Sequence, residues 1–184
     1  MNELVRKAIH VSGILYIPIY SFLGKDNIII LLLILIPISF VFELLRIRRG
    51  LLTRIFREYE RRRFASYFYY LIAIFLVTIF FSREACFSAV VCSNIGDFVA
   101  GIVRKWKDFF SSIFMFLSST LFLFFIGLGL SSIFSAAAAT LVERLRRFDD
   151  NFTVPIFAAL VTEISLNFKI FINIILNYIL SVSS

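Results

Sequence analysis

Asp97 stands inside an apolar stretch, 85–103, reached through Ser93-Asn94-Ile95-Gly96 and followed by Arg104-Lys105. An ionised aspartate near a bilayer centre costs about 2.5–3.5 kcal/mol on insertion scales, so intramembrane charges usually face a bundle interior and do a job there. At about 1.5 Å per residue, Asp97 lies on the order of 10 Å below the basic residues that close its segment. That depth is within reach of the membrane surface through a small wet cleft. Other polar residues fall at matching places along the chain: Arg6, Lys7 and His10; Glu43 and Arg46; Asn94, Gly96, Asp97 and Arg104; Glu143 and Arg147; Asp150-Asn151. Carboxylates mixed with Asn, Lys and Arg suit a divalent cation together with a polyphosphate. Mg²⁺ takes hard oxygen ligands, often one or two carboxylates plus phosphate oxygens. Arginine and lysine neutralise the charge that develops on a phosphoryl group in transfer.

Each of these residues also has a plainer use. Arg6, Lys7 and the arginines of 46–63 serve as topology determinants or contacts for anionic lipid. Glu43 and Arg46 are spaced for an ion pair at a helix end. His10 suits a packing role, and Asp149 and Asn151 are turn and cap residues ahead of a helix near Pro155. What joins them is that they emerge on one side of the membrane.

The elements that must position them are apolar helices. The chain has 184 residues, 60% of them hydrophobic, with 24 Phe and a mean hydropathy of +0.94. Soluble domains average about 45–50% apolar, so this composition indicates a single integral membrane domain, 1–184, of all-α class. The expected spans are 8–23, 28–45, 64–81 and 85–103, with kinks at Pro18 and Pro37. The uncharged run 109–142 would be about 51 Å long as one helix, against a hydrocarbon core of about 30 Å. Gly127, Gly129 and Ser131-Ser132 divide it into two spans. The last stretch, 153–180, reads as one long tilted helix or as a span with an interfacial tail. Between them these make about seven spans. The segment 46–63 holds eight arginines, with Leu51, Leu52, Ile55, Phe56 and Tyr59 at 3–4 residue spacing. It is expected to lie on the membrane surface as a basic amphipathic helix.

Counting Lys and Arg on alternate sides puts sixteen with the N-terminus and only Lys25 and Arg83 opposite, with Lys169 in the last span. The positive-inside rule then predicts a cytosolic N-terminus and a multi-pass protein with its polar cluster on the cytosolic side. The basic start runs into apolar sequence without a small-residue cleavage site, so it is read as a first span and not as a leader. The net charge of +7 is topological, and no nucleic-acid-binding motif accompanies it. Cys86 and Cys92 lie on different helix faces and are expected to pack as apolar residues. One histidine leaves no His-rich zinc site. No Walker A or kinase glycine-rich loop is present. A transporter is disfavoured, because the polar residues gather at one side and do not line a path through the midplane.

Six short motifs in order, RKAIH (6–10), FELLR (42–46), REYERRRFASYFY (57–69), GDFVAGIV (96–103), ATLVERL (139–145) and DDNFTVP (149–155), resemble the CTP-dependent polyprenol kinase family. That family includes dolichol kinase, phytol kinase and yeast-type diacylglycerol kinase. The resemblance implies CTP-dependent phosphorylation of a membrane-embedded isoprenoid alcohol of the dolichol or polyprenol type, with a divalent cation such as Mg²⁺. It assigns Asp97 and Asp150 to metal holding or hydroxyl activation, with Glu143 as a third catalytic carboxylate. Arg6, Lys7, His10, Arg46, Arg104, Lys107, Arg147 and Asn151 would contact nucleotide or phosphate, and Asn94, Gly96 and Glu43 would support them. The family's Lys-x-x-Glu-Gly element is represented by Lys107, with Phe110 and Ser111 in the Glu-Gly positions of a shortened 104–112 loop. Implied partners are CTP, the lipid alcohol and the bilayer, with no nucleic acid. Two alternatives stand beside the kinase: a cytidylyltransferase making a CDP-lipid, and a non-catalytic lipid-binding relative.

Overall fold

The computed structural model describes residues 11–50, 63–104, 108–145 and 149–183. A 3₁₀ turn, Ser12–Leu15, leads into α1 (Tyr16–Leu23). There follow α2 (Lys25–Arg49), α3 (Ser66–Phe80), α4 (Arg83–Val91), α5 (Asp97–Val103), α6 (Asp108–Phe125), α7 (Ser131–Leu145) and α8 (Asp150–Ser183). A π-helical turn, Cys92–Gly96, joins α4 to α5 in one stack. No strand occurs among the described residues, so the all-α class holds. Three helices are long and apolar enough to cross a membrane: Lys25–Arg49, Arg83–Val103 and Asp150–Ile175. Ser12–Leu23, Ser66–Phe80 and Phe109–Phe125 are shorter apolar helices. The amphipathic segment expected at 46–63 falls mainly on 51–62, outside the described residues, although α2 runs on through Arg49.

The break between α6 and α7 falls where the glycines are. Gly127 and Gly129 have φ of 94° and 56°, which side chains with a Cβ rarely adopt. Leu128 N–H reaches back to Leu123 O at 3.1 Å, closing the end of α6. The start of α8 differs from expectation by three residues. The Asp149 carboxylate accepts from Asn151 N–H at 3.0 Å, and its carbonyl accepts from Phe152 and Thr153 N–H. This capping begins the helix before Pro155, which is carried inside it.

The interior mixes apolar residues with small polar ones, and the outer surface is strongly apolar. Ser88, Ser93, Asn94, Ser119, Ser132, Ser135, Thr78 and Thr162 are buried, whereas Phe22, Leu33, Ile38, Leu121, Phe124 and Leu141 are exposed. Water would favour the reverse; a lipid-facing surface with small polar residues at the helix seams fits this distribution. α8 is the hub, packing on α7, α4 and α3. Its seam with α7 sets Ser135 against Ala158, and Ala139 shares a buried cluster with Ala158. Ser135 Oγ–H donates to Ala158 O at 3.2 Å, which requires the two backbones to lie close.

The π-helical turn has a local cause. Ser93 Oγ donates to Ala89 O at 2.6 Å and Asn94 Nδ2 to Val90 O at 2.8 Å. These side chains compete with backbone N–H groups for the same carbonyls, and a widened turn accommodates both.

Candidate functional site

α5 and α7 end, and α8 begins, at the same end of the bundle. Asp97 opens α5, Arg104 follows its last residue, Glu143 lies in the last turn of α7, and Asp149-Asp150-Asn151 starts α8. The Arg104 guanidinium pairs with the Glu143 carboxylate, joining the α5 and α7 ends. Glu143 is nearly fully buried there, while Arg104 remains a third exposed. Around the half-buried Asp150 the carboxylates of Glu143, Asp97 and Asp149 contribute negative potential, and Arg104 offsets it. Arg144 stacks over the Phe109 ring at 5.7 Å, tying the end of α7 to the start of α6. Asp97, Glu143 and Asp150 therefore share one electrostatic environment, with Arg104 among them and Asn151 held at its edge.

Asn151 is oriented by Asp149, whose Oδ1 accepts from its side-chain amide at 3.1 Å. Its expected capping role belongs instead to Asp149. Arg6, Lys7, His10, Lys107 and Arg147 lie outside the described residues.

Four other expected residues are placed elsewhere. Glu43 and Arg46 form a buried pair, Nε to Oε1 at 2.9 Å and a guanidinium nitrogen to Oε2 at 2.7 Å. The same carboxylate accepts from Ala65 N–H at 2.8 Å and Tyr67 O–H at 2.9 Å. It thus caps the start of α3, whose N-cap Ala65 has no side-chain oxygen to do so. Arg46 also donates to Arg63 O at 2.6 Å, which holds the two ends of the 50–63 connection together. Asn94 donates to Tyr70 O–H oxygen at 2.6 Å and lies against Gly13. Gly96 faces α6, where a Cβ would collide with Ser119 Oγ and press on Met115. Gly96 is thus a packing requirement of the α5–α6 approach.

Two functional-looking groups were not singled out by sequence. Glu163 caps α4 from α8: Ser82 N–H and Oγ–H donate to its Oε2 at 2.9 and 2.6 Å. Ser82 ahead of Arg83-Glu84 was the available signal, being a helix-start residue with an acid in the first turn. Tyr16 O–H bonds Thr78 Oγ1 at 2.8 Å across α1 and α3, with no sequence signature. Cys86 and Cys92 are buried free thiols, as expected from their spacing.

Among the described residues no three His, Cys, Asp or Glu side chains gather closely enough to hold a metal ion by themselves. The class defined by these observations is an all-helical bundle with three helices able to cross a membrane and a mixed-charge cluster at one end. No family model, curated protein or solved structure matches the chain.

Proposed function

We propose that the chain is a multi-pass membrane enzyme, with seven spans and a cytosolic N-terminus, that transfers the γ-phosphoryl group of CTP to a dolichol- or polyprenol-like alcohol. The observation that carries this reading is the Arg104–Glu143 pair with Asp97 and Asp150 in the same field. Like carboxylates concentrated beside an arginine suit a divalent cation arriving with a polyphosphate, and the motif resemblance supplies the nucleotide and lipid class. Asp97 and Asp150 would hold the cation, which would supply positive charge against the phosphate. Arg104 would face the transferred group, and Asn151 would orient it. One of the carboxylates would take the proton of the attacking lipid hydroxyl as CDP leaves. The lipid would reach this end between helices, since the outer surface is apolar.

The test is incubation of purified protein in lipid with Mg²⁺, polyprenol and CTP labelled at the γ-phosphate. Labelled polyprenyl monophosphate is the expected product, and Asp97→Asn should lower turnover by about 10²–10³-fold. Full activity in Asp97→Asn removes that residue's role, and label entering lipid only from the α-phosphate replaces the kinase with a cytidylyltransferase.

One observation favours a second reading, a non-catalytic lipid-binding relative. Phe110 and Ser111, at the Glu-Gly positions of the resemblance, lie in the first turn of α6, with Ser111 buried. A regular helix there leaves less backbone to wrap a phosphate. Failure of CTP with Mg²⁺ to stabilise the protein against heat would decide for this reading.

A further inference from the structure

The π-helical turn Cys92–Gly96 changes which residues face which neighbour. A single turn of this kind holds one residue more than an α-turn, so everything after it is rotated by about 100° relative to an uninterrupted helix. The surroundings on either side fit that change. Residues 85–91 of α4 are all buried, whereas Ala100 alone is buried in α5. With the turn in place, Gly96 meets Ser119 and Met115 of α6, and Ala100 lies in the same buried cluster as Met115. Arg104, one turn further, reaches Glu143 on α7.

In an uninterrupted helix, Ile95 and Val99 would take the directions now held by Gly96 and Ala100, and Asp97 would take that of Phe98. Ile95 has no room there, because even a Cβ at Gly96 would collide with Ser119 Oγ. The π-helical turn is therefore what lets α5 approach α6. It also sets the direction of Asp97, which contributes to the charge around Asp150.

The turn is clasped from two sides. One side is its own helix, where Ser93 and Asn94 bond the carbonyls of Ala89 and Val90. The other is α3. Asn94 Nδ2 donates to the Tyr70 hydroxyl oxygen at 2.6 Å as well as to Val90 O at 2.8 Å, so both of its amide protons are committed. Ser93 interacts with the same hydroxyl. Asn94 is fully buried, and its Oδ1 rests against Gly13 and finds no donor among the described residues. Without the Tyr70 oxygen, a buried amide proton would also go unmet, and such a group keeps its full desolvation penalty. An α-turn with this amide turned away then competes.

We propose that Tyr70 is a positioning residue: its hydroxyl, acting through Asn94, holds the π-helical turn and so fixes the rotation of α5 that carries Asp97 and Arg104. The effect on α5 needs no ligand. Its consequence for phosphoryl transfer rests on the proposed kinase activity, in which Asp97 acts.

The test uses the full chain in lipid, with nitroxide labels on Ile102→Cys in α5 and Leu141→Cys in α7. Both positions are exposed, and the two native thiols are buried. At about 5–6 Å from a helix axis, a rotation of about 100° displaces a side chain by about 8 Å. Tyr70→Phe is expected to add a second interlabel distance, several ångströms from the first. Tyr16→Phe is the control, since it removes an equivalent hydroxyl, bonded to Thr78 at 2.8 Å, and should leave the parent's distance unchanged. No change in Tyr70→Phe, or an equal change in Tyr16→Phe, overturns the proposal. In the same membranes, kcat for polyprenol phosphorylation from CTP should fall about 10-fold or more in Tyr70→Phe, with KM for the lipid unchanged, as for a misplaced catalytic group. An unchanged kcat beside a shifted distance overturns the link to Asp97. A shifted distance in a parent protein that transfers no phosphate would keep Tyr70's hold on α5 and remove the kinase.

Discussion

The Glu43–Arg46 pair allows a quantitative prediction. Both side chains are essentially inaccessible, at 0% and 2% exposure. Removing one partner leaves an uncompensated buried charge, which typically costs about 3–5 kcal/mol. Glu43→Ala also takes the acceptor from Ala65 N–H and Tyr67 O–H, and each buried donor left unmade adds about 1–3 kcal/mol. A loss of at least about 5 kcal/mol is therefore expected for Glu43→Ala. Arg46→Met should cost about 3–5 kcal/mol, because the carboxylate keeps its other two donors but loses its counter-charge. The double variant Glu43→Gln/Arg46→Met removes both charges while its amide oxygen can still cap α3. It should lose only about 1–2 kcal/mol, less than either single change, so the coupling term is large and favourable. Equilibrium unfolding in mixed micelles, followed by helicity, measures all three. Single variants within about 1 kcal/mol of the parent, or a double variant as damaged as the sum, would refute the clasp.

Two further changes test packing and charge, completing the expectations already stated for Asp97 turnover and for the Tyr70 hydroxyl. Gly96→Ala should destabilise by about 1–3 kcal/mol through overpacking, and Ser119→Ala in the same chain should restore part of the melting temperature, since the added methyl meets Ser119 Oγ. Asp97→Asn should raise the melting temperature of the ligand-free protein slightly, because it removes one of the negative charges around Asp150; a fall in stability would refute the like-charge account.

The helical class was legible because composition and apolar run length suffice for it, and the α6–α7 break was legible because only two glycines and two serines interrupt an uncharged stretch. The joining of Arg104 to Glu143 was foreshadowed by their both falling at ends of apolar segments on one side. What could not be read was which carboxylate serves a neighbour's backbone. Glu43 looked like an i,i+3 surface pair, but its second use, on Ala65 N–H, depends on α3 arriving beside it across a connection with no local signature. The use of Glu163 has no local signature for the same reason: its partner, Ser82, is 81 residues away. The π-helical turn was missed because helical periodicity assumes a constant turn, whereas Ser93 and Asn94 alter it by taking backbone acceptors.

The distribution of acids argues for a site at one end of this bundle. Glu43 and Glu163 each satisfy a helix start, on α3 and on α4, and Asp149 caps its own helix. These three are accounted for by folding alone, because orphan N–H groups in a dry interior require an acceptor. Glu143 is matched by Arg104. Asp97 and Asp150 come from the starts of two helices, and Asp97, after burial and Glu143, adds to the unfavourable surroundings of the Asp150 charge. Bringing like charges together opposes folding, and local rules are broken most often where function demands it. A cation bound with phosphate would reverse the sign of that interaction, so the ligand would stabilise the end of the bundle that receives it.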